Sequence, residues 1–162
     1  MILDFFDMLL KTYGYFGIFL ISMISSATII LPLPSSIFIF AAGAILNPFL
    51  VGLSAGIGSA LGEFSGYMLG FGGRQVIKRK WKWWVKETNK LSKRYGIFWI
   101  LILFAVTPLP DDIPGILAGT LKYPIKKFFI AVFIGKLILN LALAYAGFFG
   151  ARWILNYFGL SL

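Results

Sequence analysis

Four ionisable side chains, Glu63, Asp111, Asp112 and Lys136, stand in strongly apolar surroundings and carry the chemistry this sequence has to offer. Glu63 and Lys136 each interrupt a long apolar run, where an unpaired charge in lipid costs at least about 2.5 kcal/mol and normally turns toward a bundle interior or a watery cavity. Glu63 lies eleven residues before Arg74, and Lys136 lies ten after Lys126. At about 1.5 Å per helical residue both sit roughly 15 Å from the same boundary, a depth at which they can pair. Such a pair serves either a transport site or simply the fixing of one helix against another. Two adjacent carboxylates in low dielectric resist ionising together, so Asp111 and Asp112 can hold a proton reversibly, as proton coupling requires. The plainer alternative is that one of them caps a helix starting near Pro114.

Composition narrows the chemistry further. The 162 residues are 59% apolar and 13% charged, with mean hydropathy +0.88, which excludes a water-soluble globule. There is no Cys and no His, which removes disulfides, thiolate chemistry and the commonest metal ligand. With six carboxylates in all, little remains for hydrolysis or metal catalysis, so no enzyme activity, metal or cofactor is expected. Asp4 and Asp7 stand where a cleavable signal would carry positive charge.

The elements that must position these residues are helices of two kinds. Phe49–Gly73 and Phe128–Gly150 are apolar runs long enough to cross a hydrocarbon core of about 30 Å, which takes about 20 helical residues. The remaining runs are shorter and meet at proline-rich breaks, Pro32-Leu33-Pro34 and Pro108-Leu109-Pro110 with Pro114. A continuous helix there would lose hydrogen bonds and clash, so each break reads as the tip of a re-entrant hairpin, with Ser35 and Ser36 at the first tip and Asp111 and Asp112 at the second. The breaks are copies: Pro32 through Gly43 and Pro108 through Gly119 share six of twelve residues, against about one by chance. Pro48 matches Pro124; Lys11, Tyr13, Gly14 and Phe16 match Lys93, Tyr95, Gly96 and Phe98; and Tyr67, Phe71, Gly72 and Arg74 match Tyr145, Phe149, Gly150 and Arg152.

The expected fold is therefore a single all-α polytopic membrane domain over residues 1–162. It is an inverted tandem repeat, 11–74 and 93–152, each half a proline-broken re-entrant hairpin plus one transmembrane helix. One crossing per half inverts the second half and brings the two tips together near the midplane. The half-helices that leave the tips present free N–H groups suited to an anionic headgroup or phosphate. In the first long run, Gly58, Gly62, Gly66 and Gly70 recur every four residues, with Gly52 and Gly56 before them, a seam that lets another backbone approach or that lines a lipid groove.

Net charge is +9, and the stretch from Arg74 to Arg94, with nine basic residues and one acid, carries +8 of it. Within it, Ile77, Trp81, Trp84, Thr88 and Leu91 recur at helical steps while Lys78, Arg79, Lys82, Lys86 and Lys90 lie largely elsewhere around the turn. Residues 75–92 thus read as a basic amphipathic helix lying in the membrane interface. Together with Lys122, Lys126 and Lys127 it places twelve of the fifteen basic residues on one face, which the positive-inside rule makes cytoplasmic, with both termini outside, or with the N-terminus inside should residues 13–31 span fully. Each basic residue near an anionic leaflet contributes about 1 kcal/mol, so Arg74, Lys78, Arg79, Lys82, Lys122 and Lys126 would gather acidic headgroups, or serve only as a topology anchor. Flanked by long apolar runs, the cluster is not a nucleic-acid module.

The order of these features resembles the DedA family, the prokaryotic branch of the membrane proteins that share the VTT (SNARE-associated Golgi) domain. The resemblance is carried by Pro32-Leu33-Pro34 with Ala42-Gly43, by Gly62-Glu63 with Gly66-Tyr67 and Gly70, by Thr107-Pro108-Leu109-Pro110 with Ala118-Gly119, and by Phe128 and Gly135. It covers nearly the whole chain. It implies opposed re-entrant loops in a prokaryotic cell membrane and movement of lipids or lipid-linked phosphates between leaflets, as a scramblase or a flippase driven by the proton-motive force. Glu63 matches an acidic or polar position of the family's Gly-x-x-x-Gly-Tyr helix. The chain departs from the family where Ser35 and Ser36 replace an acidic residue, and where Asp111 and Asp112 stand in place of an arginine.

The leading expectation is a lipid transporter for an anionic or phosphate-bearing lipid, with Glu63, Asp111, Asp112 and Lys136 as its midplane polar site. Membrane lipids are its expected partners, and self-association is left open. A cation- or proton-coupled carrier of a small solute, and a non-transporting membrane scaffold in which all these charges are structural, remain as alternatives.

Overall fold

A computed structural model describes residues 14–27, 35–73, 96–107 and 112–157, together with position 86. These residues form helices throughout: α1 (Tyr15–Ala27), α2 (Ser35–Ile45), α3 (Pro48–Gly62), α4 (Phe64–Gly72), α5 (Ile97–Val106), α6 (Asp112–Thr120) and α7 (Ile125–Tyr157). The expected hairpin tips with Pro32, Pro34, Pro108, Pro110 and Asp111, the side chains of Asp112 and Pro114, and the basic stretch with Arg74, Lys78, Arg79 and Lys82 lie outside the described residues.

Local chemistry sets the helix ends. Gly14 and Gly96, the matching glycines of the two Lys-x-Tyr-Gly segments, both take positive φ, +53° and +81°, immediately before α1 and α5. That left-handed conformation is cheap only for glycine. At the start of α3, Asn47 is extended and its Oδ1 accepts from the N–H groups of Phe49 and Leu50 at 3.0 and 3.3 Å, with Pro48 at the first helical position. α5 stops where Pro108 forces Thr107 out of the helical region, to ψ 146°, and the Thr107 hydroxyl donates to the Phe104 carbonyl at 2.8 Å.

The arms flanking the first break, α1 and α2, have 13 and 11 residues, about 20 and 16 Å at helical rise, too short to cross a bilayer core alone. The chain returns from α2 to the level at which α1 began, because the Asn47 N–H donates to the Tyr15 hydroxyl at 3.3 Å. From there α3 climbs parallel to α1: Gly58 packs on Phe19, Gly62 on Met23 and Ser26, and the Ser65 hydroxyl reaches the Ala27 carbonyl at 3.1 Å.

The first of the two expected long spans is broken. Instead of one helix from Phe49 to Gly73, α3 ends at Gly62 and α4 starts at Phe64, with Glu63 between them. The interruption is one residue deep and the backbone carries on through it: the Glu63 N–H donates to the Ser59 carbonyl at 3.0 Å and the Tyr67 N–H to the Glu63 carbonyl at 3.3 Å, while the Ser65 hydroxyl reaches the Ala27 and Gly62 carbonyls at 3.1 and 2.9 Å. The second span is longer than expected, and over Ile125–Ala151 α7 is the one helix among the described residues long and apolar enough to cross a membrane.

Small residues set the packing. Gly52 and Gly56 of α3 lie against Leu141 and Leu137 of α7, Gly43 of α2 against the Ala144 carbonyl, Gly119 of α6 against the Tyr67 carbonyl, and Gly135 of α7 against Ala105. The glycine seam thus serves three neighbours, since Gly58 and Gly62 meet α1 and Gly70 meets Ile116 of α6. Two apolar cores result. One joins Ile18, Ile39, Ala42, Val51, Ala55 and Ala144; the other joins Ala60, Tyr67, Leu101, Ala118, Phe128, Ala131 and Val132. Outside them the surface remains apolar, with Ile37, Leu103 and Trp99 about two-thirds exposed, as a lipid-facing surface would be.

A Cβ at Gly58 would fall on the Phe19 carbonyl oxygen, whereas one at Gly72 meets nothing within 4 Å. Gly58→Ala should lower stability by about 1–3 kcal/mol in detergent unfolding titrations, and Gly72→Ala should stay within about 0.5 kcal/mol of the parent. Equal effects would mean that α1 and α3 are not in contact at that glycine.

Candidate functional site

Glu63 occupies the joint between α3 and α4, and Lys136 the fourth turn of α7. Their side chains meet, Nζ to Oε2, at 3.6 Å, and both residues are buried, at 1% and 2% exposure. The two charges that the sequence places at matching depth are therefore an ion pair in the apolar interior. The Glu63 N–H donates to the Ser59 carbonyl at 3.0 Å, so the carboxylate leaves a backbone that is still helical, with φ −61° and ψ −17°. Gly115 of α6 closes over the joint: a Cβ there would stand 3.1 Å from the Glu63 carbonyl oxygen. A charge pair in low dielectric is stable only with good geometry, and removing one member leaves the other buried and uncompensated.

Further buried polar groups, which the sequence reading missed, lie on the helices that carry this pair and on α1. Asn140, 3% exposed, follows Lys136 by one turn and donates from Nδ2 to the Lys136 carbonyl at 2.7 Å. Ser59 precedes Glu63 by one turn, and Ser22 and Ser26 lie buried on α1, where it packs on α3. The Ser22 hydroxyl makes no hydrogen bond among the described residues. A signal was present for two of these: Ser59 and Asn140 are polar residues four positions from the charges of the two long runs, hence on the same helix face.

At the other end of α6, Thr120 is fully buried and donates to the Ile116 carbonyl at 2.7 Å and the Gly70 carbonyl at 3.3 Å. The Tyr67 hydroxyl donates to the Tyr123 carbonyl at 2.7 Å. These bonds tie α6 and the following turn to α4. Lys122 and Lys126 are exposed, apart from the buried pair, and Ser35 and Ser36 open α2, the first half-exposed and the second exposed. Among the described residues no group of three or more acidic, His or Cys side chains could hold a metal.

Removing the ammonium leaves the Glu63 carboxylate buried without this cation. Lys136→Met should therefore cost about 3–5 kcal/mol, while Lys136→Met with Glu63→Gln should be clearly less destabilised than Lys136→Met alone. Additive losses in a double-mutant cycle of unfolding free energies would show that the two groups are not coupled.

Comparison with known proteins gives the arrangement its family. The profile described as VTT domain matches residues 33–149. An uncharacterized protein of Methanocaldococcus jannaschii is 33% identical over 133 residues, covering 80% of this chain and 81% of its own. No solved structure matches. With the profile running from within the first proline motif through α3, Glu63, α4, the second proline motif and most of α7, the chain belongs to the VTT-domain family, the DedA family of membrane proteins.

Proposed function

We propose that this protein moves an anionic or phosphate-bearing lipid between the leaflets of a prokaryotic cell membrane, as a flippase or scramblase, without enzymatic turnover. The observation that carries this reading is the Glu63–Lys136 pair, 3.6 Å apart and buried where the α3–α4 helix breaks. A headgroup crossing hydrocarbon needs charged partners part of the way across. A phosphate that reaches this depth competes with Glu63 for the Lys136 ammonium, and a proton taken up by the released carboxylate keeps the interior close to neutral. Asp111 and Asp112 supply two further carboxylates on the strand of sequence leading into α6, and they are the members of the site best suited to hold a coupling proton.

The inverted tandem repeat, 11–74 and 93–152 about a linker over 75–92, underlies this reading. Paired contacts support it. Gly43 of α2 packs on Ala144 and Gly119 of α6 on Tyr67, where Gly43 and Gly119 are matching repeat residues and Tyr67 matches Tyr145, the neighbour of Ala144. Phe40 meets Gly147 and its match Ile116 meets Gly70, so each half lends its returning arm to the long helix of the other. In the membrane the linker with Arg74, Lys78, Arg79 and Lys82 faces the cytoplasm together with Lys122 and Lys126, and both termini face outward.

Purified protein in liposomes with headgroup-labelled phosphatidylglycerol should speed leaflet exchange over protein-free vesicles. Exchange at the background rate, with and without a pH gradient, overturns the proposal. Asp111→Asn with Asp112→Asn should abolish any dependence on the pH gradient; an unchanged dependence removes this pair from coupling. The chain has no cysteine, so a single Lys82→Cys reports orientation cleanly: maleimide should label it from the cytoplasmic side, and labelling from outside reverses the topology.

A further inference from the structure

An apolar groove of about 430 Å³ runs between α4 and the first turns of α7, lined by Phe64, Ile125, Lys126, Phe129 and Ile130. Its volume is that of a small-molecule site, yet its walls expose no polar surface, so a water-soluble ligand has nothing there to hydrogen-bond. Lys126 is its one charged lining residue and is exposed. Because Ile125 begins the apolar stretch of α7, Lys126 stands at the boundary of that stretch, with Phe129 and Ile130 about one turn deeper. An apolar slot with a cation at its boundary end matches an acyl chain below an anionic headgroup, the stem lying along hydrocarbon and the ammonium held in the interface.

A second cation stands near by in a conformation that needs a reason. Lys122 closes α6 at φ +56°, while the Lys122 N–H donates to the Gly119 carbonyl at 3.0 Å and the Tyr123 N–H to the Ala118 carbonyl at 2.9 Å. This is the helix stop whose left-handed residue is usually glycine, since a Cβ there is crowded. The Lys122 ammonium lies 5.8 Å from the centre of the Phe71 ring. That ring continues the stacked row Phe64–Tyr67–Phe71, which starts in the groove. The Lys122 charge thus stands at the far end of that aromatic row, two rings beyond Phe64, the ring of the row that lines the groove.

We propose that this groove is a docking site for one anionic glycerophospholipid of the leaflet facing the basic linker. One acyl chain lies against Phe64, Phe129 and Ile130, and the headgroup is held by Lys122 and Lys126. Lys122 keeps its unfavourable backbone for this contact. The site stands whether or not the docked lipid is then carried toward Glu63, so it deepens the transport reading without depending on it.

Native mass spectrometry of the full chain, offered equal amounts of palmitoyl-oleoyl phosphatidylglycerol and phosphatidylcholine, tests the site. The parent should retain one phosphatidylglycerol in preference, and Lys122→Gly and Lys126→Gln should each lower that preference about fivefold, the weight of one lysine at an anionic surface. Ile130→Trp, which fills the groove, should lower retention of both lipids, whereas Phe16→Trp on the exposed side of α1 should change neither. Lys122→Gly should at the same time raise the thermal midpoint by about 2–4 °C, because it removes the strain. Equal retention of the two lipids by the parent, or retention unchanged by both Lys126→Gln and Ile130→Trp, overturns the docking site. A lowered midpoint for Lys122→Gly overturns the role given to that residue. Retention of phosphatidylglycerol without leaflet exchange in liposomes would overturn the transport reading and leave this site intact.

Discussion

A carboxylate and an ammonium inside an apolar helical protein persist only where each can reach the other, and this constraint decides which helices must meet. Glu63 and Lys136 come from helices far apart in sequence, α3–α4 and α7. For an Nζ–Oε2 separation of 3.6 Å at 1–2% exposure, the two backbones must pass closely and water must be kept out. Gly52 and Gly56 permit that approach, because leucines 141 and 137 of α7 lie directly on their α-carbons. In lipid there is little hydrophobic drive between helices, so close van der Waals contact of this kind is what holds them together. The ion pair then adds what contact lacks, a fixed rotation and register of α7 against α3, since a shift of either helix would strand a charge.

The break at Glu63 follows from the same geometry. On either side of that residue the partners differ: α3 lies against α1 and α7, and α4 against α6. α4 and α6 have only nine residues each, too short to be stable alone, and they hold through side-chain bonds to backbone: Thr120 to Gly70, and Tyr67 to the Tyr123 carbonyl. The carboxylate therefore sits at a joint whose lower half is carried by α6, the helix that Asp112 begins. Any displacement of α6 would be felt at the Glu63 backbone through Gly115.

Much of this was legible in the sequence because it rests on composition and repetition. Apolar runs, proline breaks and matched glycines were enough for helices with short arms and for one of the two long spans expected, and equal depth from the basic boundary was enough to pair Glu63 with Lys136. The interruption between α3 and α4 was not legible: Ser65 among glycines reads as one more small residue, and its reach to the Ala27 carbonyl depends on the packing of α1. Nor was the division of the glycine seam among three helices, since a spacing of four on a helix of about 3.6 residues per turn drifts around the axis and so changes partner. Ser59 and Asn140 were visible as polar positions but gained meaning only once the neighbouring charges were known to face inward. Lys122 gave no signal at all, because side-chain type does not reveal a left-handed backbone.

Several contacts recur between matching residues of the described helices, and the chemistry does not recur with them. Gly43 of α2 meets the backbone of α7 and Gly119 of α6 that of α4, Ala42 and Ala118 each belong to a core, and Gly14 and Gly96 each take positive φ before an arm. Carried across by the shift that takes Tyr67 to Tyr145, Glu63 falls on Leu141, and Lys136 is the image of Gly58. Neither image bears a charge, and both are packing residues. Ser35 and Ser36 likewise face Asp111 and Asp112 across the repeat. Two equal halves with equal charges would place like charges at related depths, where repulsion and desolvation add. Splitting the pair, acid on one half and base on the other, turns the same duplication into an attraction between halves.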